Sequence, residues 1–288
     1  MEEVTVSMVQ TTNGDENYFE GIIVNVTVEA LAGGESKIII HAKGKTISMD
    51  GKKTMDSYLD ESLEEIVDNA SRKSRGNLNL TINPIHKGRI DYICQYNESD
   101  FEFLNRLSYL YGEPFWYTGF KAFFGEKSTL AKEPLKLSYG YHLTSLQISS
   151  KLIPARFNRY GYLVHADAEV SAQNEESVKS SSGSQRKILK RADSLFNSEG
   201  DLPVDSPFIS EEELKKFVEI ERARAAAEML TISGTSTTSE VQLGRKVHIN
   251  MLGKEQLEMI DEFLITGVTH EVIYRNTIGH DRLAHAAN

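Results

Sequence analysis

A single cysteine, Cys94, in 288 residues excludes an intrachain disulfide framework, and no Cys/His spacing matches a zinc site. Nothing in the chain therefore calls for an oxidising compartment. No stretch approaches the roughly 18 consecutive apolar residues that a spanning helix requires. The opening, Met1 to Val9, alternates acidic and apolar residues instead of setting a basic region before an apolar block, so no Sec-type signal is read there. The chain reads as soluble. Positive charge is also scarce. Against 42 Asp and Glu stand 32 Lys and Arg, giving a net charge of −10 and a pI near 5.4. No Lys/Arg run outweighs its surroundings for more than a few residues, which argues against nucleic acid as a main partner, since phosphate backbones are held by clustered cations. What remains is an ordinary globular composition, 40% hydrophobic and 9% aromatic, with material for a sizeable core.

The first third alternates like strands. Val4, Val6 and Met8 begin it, Tyr18 to Glu29 continues it through Ile22, Val24, Val26 and Val28, and Ser36 to Ile47 is a third run. Asn13-Gly14 and Gly33-Gly34 separate the runs, as in a β-meander. The period then changes: Leu63, Ile66, Val67 and Ala70 recur at helical spacing behind a Ser62/Glu65 capping box, predicting a helix over about 62–74. Short strands near Leu78 to Ile82 and Arg89 to Tyr96 lead to the best-specified helix. There Ser99 and Glu102 form the box, Phe103, Leu104, Leu107, Leu110 and Tyr111 the buried stripe, and Gly112 the stop. The aromatic segment Pro114 to Gly125 reads as a tight hairpin whose rings pack on that helix.

From Leu135 the strand pattern resumes, with a long run from Phe157 to Val170 that reads as a hairpin arm or barrel stave. Residues 171–186 are polar and read as an exposed loop. Ser210 and Glu213 then open a helix near 211–228, followed by strands at Leu230 to Gly234, Val241 to Met251 and Glu262 to Tyr274, with a tail carrying His280 and His285. No repeat of 20 to 50 residues is visible. The fold class expected is α+β, mainly β: two small antiparallel β-barrel-like modules with inserted helices. Residues 1–60 form the first module, 61–130 a helical and hairpin middle, and 131–288 the second module.

The search for catalytic chemistry returns little. His270-Glu271 begins a metalloprotease-like string, but Tyr274 stands where the second His belongs. Gly44-Lys45-Thr46 lacks the earlier glycine of a phosphate loop, Ile39 taking its place. Ser184 and Lys187 have the spacing of a nucleophile pair but lie in a polar segment that would not desolvate the lysine. Cys94, between Ile93 and Gln95, reads as a buried small hydrophobe in a strand. The acidic pairs Glu64-Glu65 and Glu211 to Glu213 sit in first helical turns, where the dipole favours them. No enzyme, cofactor or metal site is expected.

One run is distinctive: Gln95, Tyr96, Asn97, Glu98, Ser99, Asp100, Phe101, Glu102, Phe103, Leu104, then Leu107 and Gly112. It resembles the hallmark segment of the VgrG and phage late-control D family, the hub and spike-base proteins of contractile injection machines. Tyr18 to Ile23, Leu63 to Val67, Leu137 to Leu146, Ala223 to Gly234 and Leu243-Gly244 are similar to further family segments, in family order. Members carry more strands before the equivalent of Val4, and spike-bearing members continue past the second barrel, so the chain reads as a trimmed or reduced hub body without its needle. The resemblance implies a structural homotrimer whose paired barrels form a pseudo-sixfold ring. It would join a tail-tube (Hcp-like) protein to spike, needle or effector proteins in a type VI-like secretion system or phage-like tail, and would be delivered with that tail. Two other readings are a tail-associated cell-wall hydrolase and a carbohydrate-binding β module using Trp116, Tyr117 and Phe120 as a stacking platform.

Overall fold

The second apolar alternation becomes a 15-residue strand, β2 (Glu16–Ala30), lying between β1 (Glu3–Val9) and β3 (Ser36–Gly44) and antiparallel to both. The computed structural model describes residues 3–9, 16–30, 36–125, 133–163, 166–174, 183–197, 200–204, 210–238, 240–251, 262–275 and 282–287. The chain divides into two compact units, 1–131 with 242–244, and 132–241 with 245–288.

In the first unit β3 leads into a 3-10 turn, Lys45–Asp50, whose Met49 is buried. Next come β4 (Lys53–Ser62) and, further on, β6 (Arg89–Ser99), paired antiparallel as a two-stranded ribbon. From Met55 to Leu59 and from Tyr92 to Tyr96 period 2 decides the faces. Tyr58 and Ile93 point into the core, while Met55, Leu59, Tyr92 and Tyr96 lie exposed on the other side. Between these strands are α1 (Leu63–Ser71) and β5 (Asn79–Asn83), and after them α2 (Asp100–Tyr111), β7 (Phe115–Tyr117) and β8 (Lys121–Gly125). The hairpin expected over Pro114 to Gly125 is the antiparallel pair of β7 and β8, extended by β5 running parallel to β8. Helix α1 ends earlier than 74. Ser71 Oγ donates to Val67 O at 2.7 Å and the following residues form a turn. The core collects Leu63, Ile66 and Val67 of α1, Phe103, Leu104 and Leu107 of α2, and Phe124 of β8, all at most 1% exposed.

The second unit is a mixed seven-stranded sheet. Its members are β9 (Leu135–Tyr139), β10 (Leu143–Ser150), β14 (Leu230–Ser236), β15 (Lys246–Met251), β16 (Glu262–Leu264), β17 (His270–Arg275) and β18 (Arg282–Ala287). Their order is β16-β15-β9-β10-β14-β18-β17, with β9 parallel to both its neighbours. A second sheet sets β11 (Phe157–Leu163) between β12 (Ala168–Gln173) and β13 (Gly200–Pro203). Two helices, α3 (Gly183–Leu195) and α4 (Glu211–Met229), pack together through Leu189, Ala192, Ala225, Ala226 and Met229.

The architecture is α+β with strands dominant. It departs from expectation in several places. Four strand pairs are parallel, three of them in 131–288 and one, β5 with β8, in the 61–130 middle, so the second module is not purely antiparallel, whereas β1, β2 and β3 of the first are; among the described residues no sheet closes into a barrel. The run from Phe157 to Val170 is a hairpin of β11 and β12 and not one stave. Of the loop expected at 171–186, residues 171–173 belong to β12, 183–186 open α3, and 175–182 lie outside the described residues. The tail is a strand: β18, which includes His285, pairs with β17, while His280 lies outside the described residues. No helix among the described residues is long and apolar enough to cross a membrane.

Candidate functional site

The distinctive run occupies the end of β6 and the whole of α2. Ser99 caps the helix in both directions: its Oγ accepts from Glu102 N at 3.1 Å, and Glu102 Oε2 accepts from Ser99 N at 2.9 Å. Ser99 Oγ also donates to Asp50 Oδ1 at 2.9 Å, which ties the 3-10 turn to the cap. Gln95 is buried with its amide spent locally, Nε2 donating to Glu98 O at 3.1 Å and to Asp100 Oδ1 at 2.9 Å. Between them Asn97 takes φ +53°, a left-handed conformation that asparagine tolerates better than most side chains. Gly112 closes the helix at φ +69° with its N–H on Ser108 O.

Arg106, which lies inside the distinctive run, joins strand to helix. Its guanidinium grips Glu98 (Nε to Oε1 2.8 Å, Nη2 to Oε2 3.0 Å), donates to Cys94 O at 2.5 Å and lies 5.1 Å from the centre of the Phe103 ring. Phe103 stacks on Tyr58, and Phe101 meets Phe115, which in turn meets Phe124. The sequence reading passed over Glu113. Its buried carboxylate accepts the N–H of Ile85 at 2.9 Å and of His86 at 2.7 Å. No spacing signal marks it, because its partners are distant in sequence. Leu104 and Leu107 are sealed in the core, and Tyr96 is 67% exposed on the outer face of the ribbon.

The electrostatics follow from this geometry. Burial, with Asp56, Asp100 and Glu61 nearby, pushes the Tyr58 hydroxyl up to about 12. The Ser99 N–H, helped by Lys53, holds Glu102 below its ordinary carboxylate value, and the Ser62 N–H and hydroxyl do the same for Glu65. These are the marks of helix starts and a packed core, not of an acid and base set against each other. In the second unit a buried pair, Arg222 with Asp193, links α4 to α3, and Arg159 meets Glu221 at 2.8 Å.

The residues weighed for chemistry do not converge. Among the described residues no group of three or more His, Cys, Asp or Glu could hold a metal ion. His270 begins β17, and burial lowers its imidazole below the ordinary value. Ser184 and Lys187 lie on α3 instead of a linker, Lys187 with its side chain exposed. Cys94 is half-buried on the outer face of β6, since strand alternation gives the core side to Ile93 and Gln95. The supposed aromatic platform is split the same way. Tyr117 faces the core cluster and donates to Glu20 O at 2.7 Å, Trp116 stacks on Phe123 on the opposite face, and Phe120 is exposed at the turn.

Residues 1–275 match the protein family described as "Phage tail baseplate hub (GPD)". Among curated proteins no sequence matches. Several solved structures share the fold. The 43 kDa tail protein of prophage MuSo2 from Shewanella oneidensis is 14% identical with a TM-score of 0.59, over 99% of this chain and 87% of that one. A tail protein from Neisseria meningitidis MC58 is 9% identical with a TM-score of 0.66, over 99% and 86%. The E. coli protein c3393, described as a component of the type VI secretion system with structural similarity to bacteriophage T4 tail proteins, is 15% identical with a TM-score of 0.54, over 98% of this chain and 62% of that one.

Proposed function

Because this chain belongs to the phage tail baseplate hub (GPD) family, a structural family and not an enzyme one, we propose that it forms a homotrimeric ring between tail tube and puncturing spike. The family itself implies assembly with other tail components. The finer reading names them: a tube protein of the Hcp kind on one face, and a spike, needle or effector protein on the other. The family match over residues 1–275 carries the reading. In the ring, 1–60 and 131–288 act as the two barrel-like modules of each chain, and 61–130 as its helical and hairpin middle. Three chains then offer six modules to a sixfold tube. Assembly takes place in the cytoplasm, and the ring leaves with the tail.

Two surfaces of the first unit support a chain built for assembly. On β2 and β3, Val26 lies opposite Ile40 and Val28 opposite Ile38, all more than half exposed. On the β4–β6 ribbon, Met55 lies opposite Tyr96 and Leu59 opposite Tyr92. Contiguous apolar faces beside open strand edges are costly in a solitary protein and are normally covered. The test is the mass of the full chain in solution by light scattering. Three copies are expected, and a strict monomer across the concentration range contradicts the ring.

A further inference from the structure

Helix α3 carries Arg186, Lys187, Lys190 and Arg191 on its exposed side, and among the described residues none of the four meets a carboxylate. Their outward direction is locked. Leu189 and Ala192 on the other side pack against α4, and Gln185 Nε2 donates to Ala226 O at 2.6 Å. Over the rest of the chain acids are in excess, and several of its cations pair with them. On α4, Lys216 reaches Glu212 one turn away at 3.0 Å, Arg159 reaches Glu221, and Arg106 grips Glu98. On α3 the one-turn neighbours of Arg186 and Lys187 are Lys190 and Arg191, and like charges at that spacing work against the helix. A compensating anion from outside would relieve that repulsion.

We propose that the four-cation face of α3 docks on the acidic surface of a second copy of this chain, an inference that rests on the ring reading above. Charge complementarity selects the occupant. The helix holds four of the chain's 32 Lys and Arg but only one of its 42 Asp and Glu, so the remainder of each copy has an excess of 13 acids. The patch and its complement are different surfaces, which makes the contact heterologous, the type that runs head to tail and closes into a ring when the rotation permits. Exposed charges also make it sensitive to salt.

The test compares the full chain with a variant carrying Arg186→Glu, Lys187→Glu, Lys190→Glu and Arg191→Glu, by sedimentation at about 0.05 M and about 1 M salt, where screening differs most. The unaltered chain is expected to associate at low salt, and the reversed variant to lose at least about tenfold in association constant with its circular dichroism unchanged. A milder pair, Lys187→Gln with Arg191→Gln, falls between the two and guards against misfolding of the first. An oligomer indifferent to salt and to both variants overturns this docking and leaves the ring standing. A monomer under all conditions overturns both. Retention of heparin or a short DNA duplex through these four residues, without self-association, assigns the face to a polyanion instead and also overturns the proposal.

Discussion

Arg222 of α4 and Asp193 of α3 meet as a two-pronged ion pair inside the second unit. Nη2 lies 2.7 Å from Oδ2 and Nη1 3.1 Å from Oδ1, Nη1 also donates to Ala155 O at 2.7 Å, and the Arg222 side chain is 2% exposed. Removing one partner strands the other charge. Asp193→Ala is expected to cost about 3–5 kcal/mol, read as a lower urea midpoint at unchanged slope. The double change Asp193→Leu with Arg222→Met should recover most of that loss.

Ser99 holds the start of α2 through Glu102 and the 3-10 turn through Asp50. Ser99→Ala should destabilise the chain by about 1 kcal/mol, and Ser99→Thr, which keeps the hydroxyl, by less. Thermal unfolding of the three proteins measures the difference.

Acid should loosen both capping boxes. Glu102 and Glu65 sit below the ordinary value of 4.5 in the folded chain, chiefly through the N–H of Ser99 and of Ser62. A depressed carboxylate lends stability that is complete above its unfolded value and is lost as pH falls through its folded value. Stability is thus expected to fall with pH below about 4.5, and a chain carrying Glu65→Gln and Glu102→Gln should show a shallower fall. Denaturant titrations at stepped pH read the two slopes, and equal slopes would contradict the assignment.

Glu113 supplies two carboxylate oxygens to two backbone donors. Glu113→Gln leaves one acceptor for the N–H groups of Ile85 and His86 and should cost about 1–3 kcal/mol. Hydrogen exchange at those two amides should speed up, with α1 amides unaffected.

Gly125 ends β8 at φ +97°, and a Cβ there would lie 2.1 Å from Asn83 O. Gly125→Ala faces both backbone strain and a clash with main chain that has no easy retreat, so a loss of about 2 kcal/mol or more is expected. Calorimetry of the variant decides it.

The helix α2 was legible because its signals are local: Ser99 and Glu102 three apart, an apolar stripe, and Gly112 at the end. The β7–β8 hairpin was legible from the same kind of punctuation. Strand β4 was not, because only Tyr58 of its ten residues is buried, and a strand in a two-stranded ribbon needs no apolar alternation. Helix α3 was hidden for a related reason. Only Leu189, Ala192 and Asp193 are buried, and its polar neighbours read as loop. The pairs Arg222–Asp193 and Ile85–Glu113 join residues 29 and 28 apart, so no spacing in the chain announces them. The hub assignment came from the motif of β6 and α2, whose side chains brace the fold, while the surfaces that suit assembly, Met55 with Tyr96 and Val28 with Ile38, emerge only once strand register is known.

The most direct test of the hub account is electron cryomicroscopy of assembled tails in which this chain carries a compact tag. The account predicts three tags per tail, arranged threefold where tube meets spike. Tags distributed along the tube, or tails complete without the protein, would contradict it.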